Sequence, residues 1–129
     1  MASALYPSFK ALLLTAGLNL SSADIRAVII DSADYSYSAA HDFLDDVPAG
    51  ARVAVSPALS SKTTTGGVFD AADAVFTAAT GDSVETIVLY RHTGTDATSE
   101  LIAYIDGVSV TPNGGNITAS WHASGIFAL

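Results

Sequence analysis

Large apolar residues recur at Leu5, Phe9, Leu12, Leu13 and Ala16, and positions i, i+4, i+7, i+8 and i+11 share one face of a helix. The pattern predicts a single N-terminal helix over about residues 4–16, with Ser3 able to cap its start and Gly17 to close its end. Its polar face is thin, with only Ser8, Lys10 and Thr15, which suits a helix covered on more than one side.

Beyond the turn-like Asn19 to Ser22 the period changes. Ile25 to Ile30 is a short β-branched run ended by Asp31, as a central or half-buried strand is. Tyr35 to Ala40 reads as a loop, and His41 to Val47 as a short helical turn stopped by Pro48-Ala49-Gly50. Further strands are expected at Arg52–Val55, Lys62–Thr65, Val68–Asp70 and Ala74–Ala78, with Pro57 ending the first of these or placing it at an edge. Val84–Tyr90 and Leu101–Ile105 are continuous enough to be central strands buried on both faces. The polar stretch Arg91–Glu100 between them is long for a hairpin loop and is expected to project into solvent. Pro112-Asn113-Gly114-Gly115 predicts a hairpin joining Val108–Val110 to Asn116–Trp121, in which Ile117, Ala119 and Trp121 alternate with small or polar neighbours. Ile126–Leu129 is an apolar closing strand that must be tied down. One domain over residues 1–129 follows: mainly β, an antiparallel β-sandwich of jelly-roll or Ig-like kind over about residues 24–129, preceded by one helix.

Length agrees, since 129 residues bury roughly two-thirds of the unfolded chain's surface. Composition adds that only 14% of residues are charged and that the formal net charge is -8, against about a quarter charged in ordinary soluble domains. A surface of Ser, Thr, Asn and Ala costs less to desolvate, which leaves room for contacts with neighbouring subunits. The five basic residues, Lys10, Arg26, Arg52, Lys62 and Arg91, are scattered, so direct nucleic-acid binding is not expected. The apolar stretch Ala11–Leu18 is too short to span a bilayer, no basic n-region precedes it, and Pro7 and Lys10 sit where a signal peptide's apolar core would begin, so it reads as part of the fold and no membrane role is expected. Absence of cysteine excludes disulfides, thiolate metal sites and cysteine nucleophiles.

Little in the chain carries chemistry. His41, His92 and His122 match no compact metal-ligand spacing. Asp42, Asp45 and Asp46 are the densest acidic group; oxygen ligands so close suit Ca²⁺ if carbonyls help, but the EF-hand spacing is missing and a solvated helical turn explains them equally well. There is no nucleophile elbow, P-loop or dinucleotide fingerprint, and Glu85 and Glu100 have no spacing that sets them as a glycosidase pair. Trp121 with Tyr35, Tyr37 and Tyr104 offers a sugar-stacking platform, although core packing is the commoner use of Trp121 and Tyr104. Neither catalysis nor a cofactor is expected.

Several segments in series resemble one family. They include Ala4-Leu5-Tyr6 leading into the helix, Ile29-Ile30-Asp31 with Ala33-Asp34-Tyr35, and His41-Asp42-Phe43-Leu44 followed by Val47-Pro48-Ala49-Gly50-Ala51-Arg52-Val53-Ala54. Gly67 to Asp73, Leu101 to Asp106, Thr111 to Gly115 and Ile126-Phe127 complete the series. Together they resemble a family of small structural proteins of tailed bacteriophages, over nearly the whole chain. The resemblance implies a virion component made in the bacterial host cytoplasm. A capsid decoration or cement protein fits best, one that binds the major capsid protein and copies of itself as a homo-oligomer such as a trimer. On that reading Leu5, Tyr6, Phe9, Ile126, Phe127 and Leu129 are the expected subunit contacts, with burial in the domain's own core the competing reading for Phe9 and Phe127. The rival is a tail- or fibre-associated module contacting host surface glycans through the Arg91–Glu100 loop and the loop bearing Tyr35 and Tyr37.

Overall fold

Three runs of β-branched and aromatic residues build the centre of the molecule. The computed structural model describes residues 3–129. In chain order it contains β1 (Ala4–Leu5), α1 (Pro7–Leu14), β2 (Ile25–Ile30), β3 (Arg52–Val55), β4 (Val68–Phe69), β5 (Ala74–Phe76), β6 (Thr86–Arg91), β7 (Leu101–Ile105), β8 (Ile117–Ala119) and β9 (Phe127–Ala128). One five-stranded sheet runs in the order β1-β7-β6-β2-β3, antiparallel at every step.

Register sorts the central side chains into two layers. Ala27 faces Leu89 and Ala103 across the sheet, and Ile29 faces Ile87 and Ile105, so these lie on one face. Val28, Val88 and Tyr104 lie on the other. Both faces are covered, which is why β2, β6 and β7 are apolar without alternation. The first face packs against two short antiparallel ribbons, β5–β8 and β4–β9. The second is covered by a tyrosine cluster: Tyr104 packs against Tyr35 and Tyr37 with ring centroids 6.2 and 5.8 Å away. The fold is therefore mainly β and antiparallel, in two layers with one N-terminal helix, and the second layer is divided into ribbons.

Several local expectations are corrected. The helix starts at Pro7, whose missing N–H costs nothing at that position. Ala4 and Leu5 pair with Tyr104 and Ala103 as an edge strand instead. Ser3 caps no helix; its Oγ accepts the Asp106 N–H at 2.9 Å. At the other end Gly17 N–H donates to Leu12 O at 2.8 Å and Ala16 N–H to Leu13 O at 3.3 Å. That is a Schellman closure, and it places Ala16, not a glycine, in the left-handed region at φ 57°. A Cβ at Gly17 would come within 2.8 Å of Leu12 Cδ2, so the tip of that leucine would have to shift.

Lys62–Thr65 forms only a single bridge, Thr63 to Asp70. Residues 112–115 do turn, but they join no hairpin: β8 pairs with β5, and Val110 bridges to Val84. Turn residues set the local reversal, whereas the stripe of Ile117 and Ala119 finds its partners opposite Phe76 and Ala74. The Arg91–Glu100 loop is exposed but internally tied. Thr93 Oγ1 lies 2.7 Å from Thr98 Oγ1 and 3.0 Å from Ser99 Oγ, and an Arg91–Glu100 ion pair closes its base.

Candidate binding surface

Two of the six expected contact residues offer no surface at all. Tyr6 and Phe9 are both 0% exposed, so the expectation that they touch a neighbouring subunit is corrected. Tyr6 sits at 0% because its hydroxyl has a partner within the fold, Tyr35 OH at 2.7 Å, which in turn lies 3.0 Å from His41 Nδ1. Burial, and then the bond to Tyr35, raises the Tyr6 pKa strongly; burial pushes Tyr35 up to about 12. Phe9 is held edge-on against Phe127.

Three others converge. Leu5 from the start of the chain and Ile126 and Phe127 from its end line one open crevice of about 250 Å³, together with Ala103 and Ile105 of β7. All three are half-buried. The crevice lies against β1, the edge strand of the main sheet among the described residues, where the Leu5 carbonyl accepts the Tyr37 hydroxyl at 3.4 Å. Leu129 stands apart, 71% exposed, above a shallow hollow that it shares with Leu20, Val68 and Phe127; its N–H donates to Gly67 O at 3.0 Å.

A larger cavity, of about 310 Å³, adjoins the crevice and shares Ile105 and Ile126 with it. Its floor is the sheet face of Ile29, Ile87 and Ile105, and its walls come from Phe76 and Ile117 of the β5–β8 ribbon and from Val108. Trp121, His122, Ser120 and Thr118 supply the polar part of the lining. Trp121 is half-buried and donates from Nε1 to Ala72 O at 3.1 Å. His122 Nδ1 accepts the Ser124 N–H at 3.0 Å. Only the alternation of Ile117, Ala119 and Trp121 hinted at this space, since its floor is gathered from three distant strands.

The remaining candidates do not assemble. Asp46 accepts the backbone N–H groups of Asp42 and Phe43 at 2.9 and 3.4 Å. The Asp42 N–H bond is the main cause of its lowered pKa, while loss of solvent and then Asp46 itself raise that of Asp42. These carboxylates close their own turn, Leu44–Asp46. Among the described residues the one group of three acidic residues whose oxygens lie within 4.8 Å of one another is Asp31, Asp34 and Asp82, and Asp31 Oδ1 there accepts the Ala33 N–H. The three histidines stay apart: His41 stacks on Tyr35, His92 lies against Tyr90, and His122 is at the cavity. Tyr35 and Tyr104 are buried together in the sheet's second face, so they form no stacking platform with Trp121. Among the described residues no helix is long and apolar enough to cross a membrane. No family model matches the chain, and no curated protein sequence matches it.

Proposed function

We propose that the chain is a virion structural protein of a tailed bacteriophage, a capsid decoration or cement protein that docks on the major capsid protein and on copies of itself. The observation that carries the reading is the meeting of Leu5, Ile126 and Phe127, from opposite ends of the chain, around one open apolar crevice at a sheet edge. Such a crevice offers a partner apolar area to bury at the margin of the sheet. Among the described residues no charged one lines it, which keeps the cost of desolvation small. Each copy bridging neighbouring capsid subunits adds binding energy that exists only in the assembled shell. Catalysis forms no part of this role.

The contact set is accordingly Leu5, Ile126, Phe127 and Leu129, without Tyr6 and Phe9. A glycan-binding tail or fibre module would rely mainly on the Arg91–Glu100 loop, because Tyr35 is buried and the half-buried Tyr37 packs on Tyr6 with ring centroids 5.0 Å apart. The test is co-sedimentation of the purified chain with phage heads from a strain lacking its gene. Saturable binding is expected, with loss in Ile126→Glu and retention in Thr95→Glu on the loop. Absence of binding, or binding untouched by Ile126→Glu in a folded variant, overturns the docking role.

A further inference from the structure

We propose that the 310 Å³ cavity between the sheet and the β5–β8 ribbon binds a neutral, mainly apolar small molecule carrying one hydrogen-bond acceptor. This goes beyond the docking role and concerns the space beside the crevice, with which it shares Ile105 and Ile126.

The cavity is walled by the chain's own elements, with the sheet below, the ribbon to one side, and the segments of Val108–Val110 and Trp121–Ile126 around it. Its deepest residues, Ile29, Phe76, Val84 and Ile87, are buried, so the flat surface of a protein partner does not reach the floor. A slender molecule does. The volume is about twice the ~150 Å³ of an apolar cavity that takes up benzene, and at about 30 Å³ per water-sized group it holds about ten non-hydrogen atoms.

Charge selects the class. Among the described residues no carboxylate, lysine or arginine lines the cavity, and the chain carries -8 overall. An anionic ligand is opposed by the net charge and finds no cation, while a cationic one finds no counterion. The Ser120 hydroxyl of the lining is turned to Asp73 Oδ2 and the Thr118 hydroxyl lies on the same ribbon; with Nδ1 of His122 accepting the Ser124 N–H, that tautomer adds a donor proton on Nε2. An uncharged acceptor such as a hydroxyl or carbonyl meets it, and the apolar body lies over Ile29, Ile87 and Ile117.

The chain has one tryptophan, Trp121, and it lines the cavity, so its emission reports on this site. The experiment titrates the full chain with 1-nonanol and, in parallel, with nonanoate. Saturable change in Trp121 emission at one nonanol per chain is expected, with nonanoate at least tenfold weaker, and Val108→Phe should abolish the response at an unchanged melting temperature. No saturable response to nonanol, equal affinity for nonanoate, or unaltered binding in a folded Val108→Phe variant overturns the proposal. If that variant does not fold, the comparison of the two ligands on the unaltered chain decides.

Discussion

Phe9, in the only α-helix among the described residues, meets Phe127, in the last strand, edge to face with ring centroids 5.7 Å apart and planes at 84°. Phe127 also packs on Phe69 at 5.3 Å, so one ring ties both termini to the β4–β9 ribbon. Geometry of this kind adds to the area buried. Phe127→Ala is expected to lower stability by about 2–4 kcal/mol, allowing for its partial exposure, with a lower urea midpoint at unchanged slope.

The neighbouring Gly125 allows the same ribbon to close. Its φ is +106°, and a Cβ there would lie 2.3 Å from Val68 Cγ1 and 3.3 Å from Phe69 O. Gly125→Ala should cost about 2–4 kcal/mol, since strained backbone and overpacking add. Hydrogen exchange at Ile126, whose N–H is held by Phe69 O at 2.8 Å, should speed up more than exchange in β6.

Ala16→Gly should act in the opposite direction. Relief of the left-handed strain at φ 57° outweighs the entropy lost by a more flexible unfolded chain, for a net gain of about 0.5–1 kcal/mol. A higher thermal midpoint with unchanged circular dichroism checks it.

Arg52 and Asp96 form an ion pair at 2.7 Å, yet their weights differ. Arg52 also donates to Val47 O at 3.0 and 2.6 Å and to Leu44 O at 2.7 Å, fixing the turn before β3. Asp96 is exposed on its loop. Arg52→Ala is expected to cost about 2–3 kcal/mol, because the carbonyls lose charged donors, and Asp96→Ala under about 1 kcal/mol. Chemical denaturation of both variants gives the ratio.

The Tyr6–Tyr35 pair sets an alkaline limit. Both folded pKa values lie above the ordinary 10.0, Tyr35 at about 12 and Tyr6 higher. In a group raised in this way the folded state holds its proton more tightly than the unfolded chain, so the stabilisation is complete below pH 10 and is lost as pH climbs through the folded values. Stability should fall from about pH 10 upward, with tyrosinate absorbance rising together with unfolding. Tyr6→Phe should flatten that fall.

Legibility followed how far apart in sequence the deciding partners lie. Runs such as Ile25–Ile30 and Leu101–Ile105 announce buried strands because their own side chains are uniformly apolar. Leu5 and Phe9 fit a helical spacing equally well when Leu5 lies in a strand before the helix, and Pro7 was the residue that marked the true start. Tyr6 falls in the apolar N-terminal segment expected to touch a neighbour, but its hydroxyl is met inside the fold by Tyr35, 29 residues away. The turn at Pro112–Gly115 was readable, but not that β8 would leave its neighbour for β5. The crevice and the cavity are gathered from both ends and the middle of the chain, which no local pattern encodes.

The proposed place on the capsid is tested most directly by the stoichiometry of this chain against the major capsid protein in purified particles, by quantitative mass spectrometry. Symmetric decoration of a closed shell requires about one copy for every one to three capsid subunits, and that is the expected ratio. A ratio corresponding to only about a dozen copies per particle, as at a single symmetric ring, or complete absence from particles, would contradict it.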